Sequence, residues 1–152
     1  MPDPIVPVRK SVVLRAVAPQ AIYAVVVDFA AYPRLFPEIK AAEVLSRDGR
    51  RVRAEFRGNM VVPFRYVLDL DCDEAALSVD WRYVEGEVVK SSEGGWRFAA
   101  EGDGTRVDYR VAMEIAAPVP GFILRKITDG LVSLSLPAMF ASIEREAKAR
   151  AK

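Results

Sequence analysis

The sequence predicts an α+β fold in which a curved, seven-stranded antiparallel sheet wraps around a long C-terminal helix. Hydrophobic residues make up 51% of the 152 residues, which is enough to bury the core of one domain, expected over residues 1–152. Residues 40–117 alternate between apolar and charged side chains with the two-residue period of strands. Residues 122–150 change to the helical spacing of apolar side chains and end in a charged tail.

The first elements are predicted to be one strand and two short helices. Residues 8–17 are rich in β-branched side chains, which favours a strand. Pro19 suits the first turn of a helix, and the apolar side chains after it recur at helical spacing. Asp28 is expected to cap a second helix that Pro37 ends, with a functional carboxylate as the alternative role.

The middle of the chain is predicted to be a meander of six strands joined by tight turns. Asp48-Gly49 and Asp103-Gly104 give the strongest hairpin signals. Each strand has one apolar face and one charged face, so one side of the sheet is expected to be in water. Glu93-Gly94-Gly95 interrupts the alternation and predicts a β-bulge, which bends a sheet and leaves a hollow on its concave face.

The C-terminal helix is predicted to begin near Pro120 and to fill that hollow. At about 1.5 Å per residue, residues 122–150 would extend roughly 40 Å, with a kink expected at Pro137. The uncharged stretch within it, residues 130–143, is shorter than the roughly 20 residues of a membrane-spanning helix. This stretch therefore predicts a buried helix and no integral membrane association.

Two residue types are scarce enough to exclude whole classes of chemistry. The chain has no histidine and a single cysteine, Cys72, which excludes a histidine-based catalytic triad, a Cys/His zinc site and an internal disulfide. Neither a metal nor another cofactor is predicted. The N-terminus lacks the features of a signal peptide, so a cytoplasmic location is expected. A net charge of +1 provides no general attraction for DNA.

The side chains predicted to face the helix are aromatic and apolar, as in the walls of small-molecule sites. A filled core is the alternative interpretation of each single residue. Tyr66, Tyr83 and Tyr109 are the best candidates for polar contacts with a ligand, because a buried hydroxyl needs a hydrogen-bond partner. No catalytic residue is predicted. The predicted ligand-binding residues are Phe56, Phe64, Tyr66, Trp81, Tyr83, Trp96, Phe98, Tyr109, Val111, Met113, Ile127, Leu131 and Leu134.

The opposite face of the predicted sheet carries many arginines, which is the one feature that suggests RNA or ribosome binding. Acidic residues occupy the same face, so cross-strand ion pairs are the simpler interpretation. Its arginines are Arg51, Arg53, Arg57, Arg65, Arg82, Arg97, Arg106 and Arg110, and its acidic residues are Glu55, Asp69, Asp71, Asp80, Asp108 and Glu114.

Three motifs resemble those of a known family. They are Tyr32-Pro33-x-x-Phe36-Pro37, Gly95-Trp96-Arg97-Phe98 followed by Asp103-Gly104-Thr105-x-Val107-x-Tyr109, and Pro120 before an apolar last helix. With the predicted order of elements, they resemble the START-like, helix-grip (SRPBCC) superfamily. The chain is most similar to the polyketide cyclase/dehydrase family, in the branch of coenzyme Q-binding proteins and the ribosome association toxin. That branch often has an aromatic residue where this chain has Glu38.

The resemblance implies a deep cavity between the curved sheet and the last helix, which holds an apolar molecule such as a lipid, quinone or polyketide. Binding or transport of such a molecule is the first functional hypothesis. The alternative is a cyclase/dehydrase enzyme that uses Tyr66, Tyr109 and Arg125 as hydrogen-bond donors to developing enolates. A ribosome or protein interaction role is the third hypothesis, because fold alone does not decide function.

Overall fold

The strands and helices of the protein follow the predicted order. The fold is taken from a computed structural model that describes residues 5–60, 62–115, 120–130 and 135–151, without the side chains of residues 5–7, 60, 62, 127 and 128. The strands are β1 (Ile5–Leu14), β2 (Ile39–Asp48), β3 (Arg51–Met60), β4 (Val62–Asp73), β5 (Ser78–Glu87), β6 (Val89–Glu101) and β7 (Gly104–Ile115). The helices are α1 (Pro19–Val26), α2 (Tyr32–Leu35), α3 (Gly121–Gly130) and α4 (Leu136–Arg150), with a 3-10 turn at Phe29–Ala31.

The seven strands form one antiparallel sheet in the order β1-β7-β6-β5-β4-β3-β2. Strands β2 to β7 are consecutive neighbours, which is the predicted meander. Strand β1 instead pairs with β7, from Ile5 opposite Glu114 to Leu14 opposite Thr105. It begins three residues earlier than predicted, because the pairing with β7 continues to that point. The predicted fold class is confirmed.

Helix α4 lies on the concave side of the sheet and packs mainly against α1. Its buried side chains, Leu136, Phe140, Ile143 and Ala147, recur every three or four residues and therefore form one stripe. On β3, Val52, Ala54 and Phe56 are buried on the sheet face that meets the helices. The two-residue and helical periods of the sequence thus place their apolar sides in a common core.

The predicted bulge at Glu93-Gly94-Gly95 is wrong. Gly94 pairs regularly with Trp81 and Val111, and Gly95 pairs with Asp80 and Arg110. A Cβ atom at Gly94 would lie 2.2 Å from the Arg110 carbonyl oxygen and 2.5 Å from the Trp81 ring. The missing side chain therefore allows close packing in a regular strand, whereas the irregularity of β6 lies at Val89–Ser91.

Asp28 does not cap the second helix through its side chain, contrary to the prediction. Its Oδ2 atom instead accepts a hydrogen bond from Nη2 of Arg150 at 2.6 Å. This contact joins the end of α4 to the segment after α1. A partner 122 residues away in sequence supplies a stronger, charge-assisted bond than a local backbone N–H, and sequence spacing gave no sign of it.

Pro137 lies in the first turn of α4, and residues 131–134 before it lie outside the described part of the chain, so the expected kink stays a prediction. A proline is well suited to this position because the first backbone N–H groups of a helix have no intrahelical partner. The described part of the predicted C-terminal helix consists of two segments, α3 and α4, with residues 131–134 between them outside the description. Helix α3 begins at Gly121, next to the predicted start at Pro120.

The convex face of the sheet carries the predicted cross-strand ion pairs. Arg53 binds Asp69 through two hydrogen bonds of 2.7 and 2.9 Å, which lowers the pKa of the Asp69 carboxyl. Asp80 accepts hydrogen bonds from both Arg97 and Arg110. These side chains are about half exposed, so each pair contributes little to stability in salt solution.

Candidate functional site

An aromatic cavity of about 160 Å³ lies between the concave face of the sheet and α4. The strands contribute its broad wall, and the α2–β2 connection and the first turn of α4 contribute the rest. The residues that line it are Tyr32, Phe36, Glu38, Ile39, Phe56, Phe64, Tyr66, Leu68, Leu70, Trp81, Ser92, Trp96, Tyr109, Val111, Met113, Ser135, Leu136 and Met139.

Most of the predicted ligand-binding residues on the strands lie in this wall. They are Phe56, Phe64, Tyr66, Trp81, Trp96, Tyr109, Val111 and Met113. Tyr83 and Phe98 do not line the cavity. Leu131 and Leu134 lie outside the described residues, and Ile127 belongs to α3 with a side chain that is also outside the description. The structure thus brings together eight of the predicted residues around one space.

Tyr83 and Phe98 have other partners within the fold. The Tyr83 hydroxyl donates a hydrogen bond of 2.7 Å to the Val89 carbonyl oxygen, so its polar atom is satisfied by the chain itself. Phe98 stacks on Trp96 and meets the edge of Tyr23, with ring centres 6.0 and 6.2 Å apart. Phe98 is therefore part of the filled core beside the cavity.

Sequence reasoning missed part of the wall. Leu68 and Leu70 follow the same alternation as the predicted aromatic residues, and Tyr32 and Phe36 belong to the Tyr-Pro-x-x-Phe-Pro motif, so both pairs carried a usable signal. Ser135 and Met139 carried none, because their position depends on where α4 crosses the sheet. The missed residues are Tyr32, Phe36, Glu38, Ile39, Leu68, Leu70, Ser92, Ser135, Leu136 and Met139.

Two groups of aromatic rings face the cavity from opposite ends. At one end, Phe56 contacts Tyr66 and Tyr32 with ring centres 5.6 Å apart in both pairs. At the other end, Trp96 and Tyr109 have ring centres only 4.6 Å apart. Ring contacts at these separations favour a fixed arrangement, so the wall is organised before any molecule binds.

Three polar side chains in the wall differ in whether another residue of the protein is their hydrogen-bond partner. The Trp81 indole N–H donates a hydrogen bond of 3.1 Å to Oγ of Ser92. The Tyr66 and Tyr109 hydroxyls make no hydrogen bond to any other residue that the structure describes. Burial raises the pKa of Tyr66 to about 12 and raises the pKa of Tyr109 further, with a smaller contribution from Tyr66. Both hydroxyls are therefore protonated near neutral pH and available to a bound molecule.

A carboxylate also reaches this mainly aromatic space. Oε1 of Glu38 accepts a hydrogen bond of 2.8 Å from Oγ of Ser135, and both residues line the cavity. The Glu38 main chain is held close to β3, since Asn59 N–H donates to its carbonyl oxygen at 2.9 Å. A Cβ atom at Gly58 would lie 1.9 Å from that same oxygen, so the close approach requires glycine.

Wider depressions on the convex face of the sheet are less suitable for an apolar molecule. The largest described one, about 600 Å³, lies over β1, β5, β6 and β7 and is lined partly by Arg9, Asp80, Arg82 and Arg110. Asp80 and Arg110 pair with each other, and Arg9 and Arg82 are exposed to water, which gives an apolar ligand little surface to cover. The concave cavity is therefore the candidate site.

Two further features are absent from the described part of the chain. No group of three or more histidine, cysteine, aspartate or glutamate side chains there is arranged to hold a metal ion. None of the helices described is long and apolar enough to cross a lipid bilayer.

The single cysteine, Cys72, is partly buried, and burial raises the pKa of its thiol to about 11. A thiolate nucleophile is not favoured at this position.

Solved structures of other proteins share this architecture. A protein from Thermus thermophilus is 25% identical with a TM-score of 0.81, and the match covers 98% of this chain and 100% of that chain. An aromatase/cyclase from Streptomyces sp. R1128 is 17% identical with a TM-score of 0.84, covering 98% and 97%. A START superfamily protein from Mycobacterium smegmatis is 22% identical with a TM-score of 0.77, covering 95% and 98%.

The sequence itself matches a protein family over most of its length. Comparison with curated proteins gives no match. The family model described as polyketide cyclase / dehydrase and lipid transport matches residues 16–140, which include α1, α2, all strands from β2 to β7 and the first part of α4. The chain therefore belongs to the polyketide cyclase/dehydrase and lipid transport family, and it has the helix-grip fold of the START superfamily.

Proposed function

We propose that this protein binds and carries a hydrophobic small molecule in the cavity between its sheet and α4. The observation that supports this most is an aromatic cavity wall that includes two hydroxyls, on Tyr66 and Tyr109, without a described protein partner. In a filled core, such groups would be satisfied internally, as the Tyr83 hydroxyl is. Apolar surface provides affinity and the two hydroxyls provide orientation.

The size of the cavity limits what fits without rearrangement. A dry cavity of about 150 Å³ in another protein holds one benzene molecule, so about 160 Å³ accommodates one aromatic ring or a short alkyl chain. A larger lipid, quinone or polyketide requires side chains to move. Met113 and Met139 line the cavity and are suited to this, because unbranched thioether side chains change rotamer easily.

The proposal includes the setting in which the protein acts. A carrier of this kind would work in the cytoplasm as one domain spanning residues 1–152, without a cofactor. The absence of histidine and the single partly buried cysteine are consistent with a function that requires no redox or metal chemistry from the chain. Neither DNA nor a ribosome is part of this proposal.

A cyclase-type reaction is the second candidate, and the Glu38 carboxylate is the observation that favours it. Cyclisation of a poly-β-ketone needs a base that takes a proton from a carbon between two carbonyls, after which that carbon attacks a third carbonyl. The Tyr66 and Tyr109 hydroxyls stay protonated near neutral pH because burial raises their pKa values, so they are not available as the base. Glu38 lines the same cavity and can accept a proton.

The products formed from a synthetic poly-β-ketone test this candidate. The distribution of cyclised products with wild type is compared with the distribution with Glu38→Gln.

Native mass spectrometry of freshly purified protein tests the proposed binding function. We expect a mass above that of the chain, and organic extraction should release one small apolar molecule that restores the added mass when returned to the protein. A matched variant, Val111→Trp, narrows the cavity and should be recovered with less of that molecule. Recovery of wild type without any adduct, combined with no binding of added alkylbenzenes, would refute the proposal.

A further inference from the structure

The polar groups of the cavity indicate what kind of polar end a ligand carries. Glu38 is the one carboxylate among the described residues of the cavity wall, and only its Oε1 atom has a described partner, Ser135. A carboxylate has two oxygens that accept hydrogen bonds and no hydrogen to donate. Its second oxygen is therefore available to a ligand that offers a hydrogen.

No positive charge in the described part of the chain pairs with Glu38. The nearest lysine in sequence, Lys40, donates instead to the Pro37 carbonyl oxygen at 3.0 Å. The ion pairs of the arginines lie elsewhere, on the convex face of the sheet and at the C-terminal end of α4. A negative ligand group would thus meet an uncompensated carboxylate, whereas a neutral donor can bond to its second oxygen.

Glu38 lies in the connection between α2 and β2 and is bound to the rest of the fold at two points. Its carbonyl oxygen is bound by Asn59, and the glycine at position 58 permits that approach. Its side chain is bound by Ser135, which directly precedes α4. The residue is therefore held through its main chain to β3 and through its carboxylate to the residue before α4.

We propose that the ligand of this cavity is a neutral apolar molecule that ends in a hydroxyl group, and that Glu38 accepts the hydrogen bond from that hydroxyl. This inference rests on the proposed binding function and specifies its ligand class. It excludes fatty acids and other carboxylates as preferred ligands. Tyr66 and Tyr109 then supply further bonds to the same molecule along the aromatic wall.

Three ligands of nearly the same shape test the inference by isothermal titration calorimetry near neutral pH. They are 4-ethylphenol, 4-ethylanisole, which replaces the hydroxyl by a methyl ether, and 4-ethylbenzoate, which carries a negative charge. Because a hydrogen bond to a charged group contributes about 1.5 to 3 kcal/mol, wild type should bind the phenol roughly 10 to 100 times more tightly than the anisole. The benzoate should bind most weakly.

The Glu38→Gln variant should reverse part of this order. Its amide keeps the shape of the side chain but can donate a hydrogen bond, so affinity for the benzoate should increase while the preference for the phenol falls to a few-fold. Glu43→Gln is the matched control, since Glu43 is an exposed carboxylate on β2, the strand that follows Glu38, and lies outside the cavity wall. The control should keep the wild-type order of all three ligands.

Ser135→Ala provides an independent test that acts in the opposite direction. It removes the internal donor to Glu38, so preference for the phenol over the anisole should stay the same or increase a few-fold. Equal affinity of wild type for phenol and anisole, unchanged in Glu38→Gln, would overturn the inference while leaving the binding function intact. Failure of all three ligands to bind wild type would overturn the binding function and the inference together.

Discussion

Arg34 on α2 and Glu146 on α4 form a two-point ion pair across 112 residues of sequence, with N–O distances of 2.9 and 2.8 Å. Glu146 also accepts a hydrogen bond from Nε of Arg150, and Arg150 in turn binds Asp28. These four side chains attach the C-terminal half of α4 to the short helices that follow β1. The hydrogen bonds from both arginines lower the pKa of Glu146 from 4.5 to about 2.

This network predicts an acid-dependent loss of stability. A carboxyl with a lowered pKa in the folded state stabilises the protein above its unfolded pKa, and that contribution is lost as pH falls through the folded pKa. The Glu146 contribution should therefore be complete above pH 4.5 and disappear as pH falls toward about 2. Urea unfolding of wild type and Glu146→Gln should show the largest difference at neutral pH and a small one at the acidic end. A difference that is independent of pH would contradict the assignment.

Filling the cavity should affect binding more than stability. Val111 on β7 lines the cavity, whereas Val107 on the same strand is fully buried outside it. Val111→Trp should cost about 1 kcal/mol or less, because its ring enters empty space, but Val107→Trp overpacks the core and should cost about 3 kcal/mol. Val111→Trp should also suppress the tryptophan emission change that alkylbenzenes of increasing chain length cause in wild type. Equal destabilisation by the two variants would show that the space around Val111 is filled.

Two tyrosines should respond differently to removal of the hydroxyl. Tyr83→Phe loses the hydrogen bond to the Val89 carbonyl oxygen and should lower the free energy of unfolding by about 1 kcal/mol. Tyr109→Phe loses no described hydrogen bond and should change the free energy of unfolding by less than about 0.5 kcal/mol. The same Tyr109→Phe variant should weaken binding of hydroxyl-bearing ligands. A large loss of stability in Tyr109→Phe would reveal an internal partner for that hydroxyl.

Alanine at Gly94 should destabilise the protein through a backbone clash. The new Cβ atom would lie 2.2 Å from the Arg110 carbonyl oxygen, so β6 and β7 must separate locally, at a cost of about 1 to 3 kcal/mol. Gly121→Ala is the control, since nothing lies within 4 Å of a Cβ atom there, and it should stay within about 0.5 kcal/mol of wild type. Thermal unfolding of both variants is the measurement. Similar melting temperatures would argue against the regular pairing of Gly94.

Removal of metal ions should leave the protein unchanged. The chain has no histidine, and its one thiol has a raised pKa, so the usual nitrogen and sulfur ligands are missing. The melting temperature with a strong chelator should equal that without it. A decrease of several degrees, restored by one particular divalent ion, would identify a site built from oxygen ligands.

The sheet was predictable from sequence because burial on one face imposes a period that the residues display directly. Phe56, Tyr66 and Tyr109 face the cavity as their alternation required. Tyr83 follows the same alternation but turns its hydroxyl to the backbone at Val89. Alternation gives the face of a strand and not the distance from that face to the helix, so it does not separate cavity wall from filled core.

Contacts between distant segments were not predictable for a related reason. Glu38 departs from a family motif in sequence, yet its hydrogen bond to Ser135 depends on how α4 enters the fold. The role of Gly94 was mistaken because a glycine in a strand is compatible with a bulge or with a close neighbour, and only the position of Trp81 decides between them. Sequence spacing likewise predicts a local helix cap for Asp28, whereas its partner in the fold is Arg150.

The pairing of β1 with β7 governs the order in which the molecule can assemble. Strands β2 to β7 join their sequence neighbours through short turns, and they can form progressively as hairpins. The pairing of Ile5 with Glu114 instead requires closure of a loop that contains all the other strands, so we expect it to complete the sheet late. Tyr109, Val111 and Met113 all lie on β7 beside β1, so we expect this part of the cavity wall to be complete only after β1 has paired.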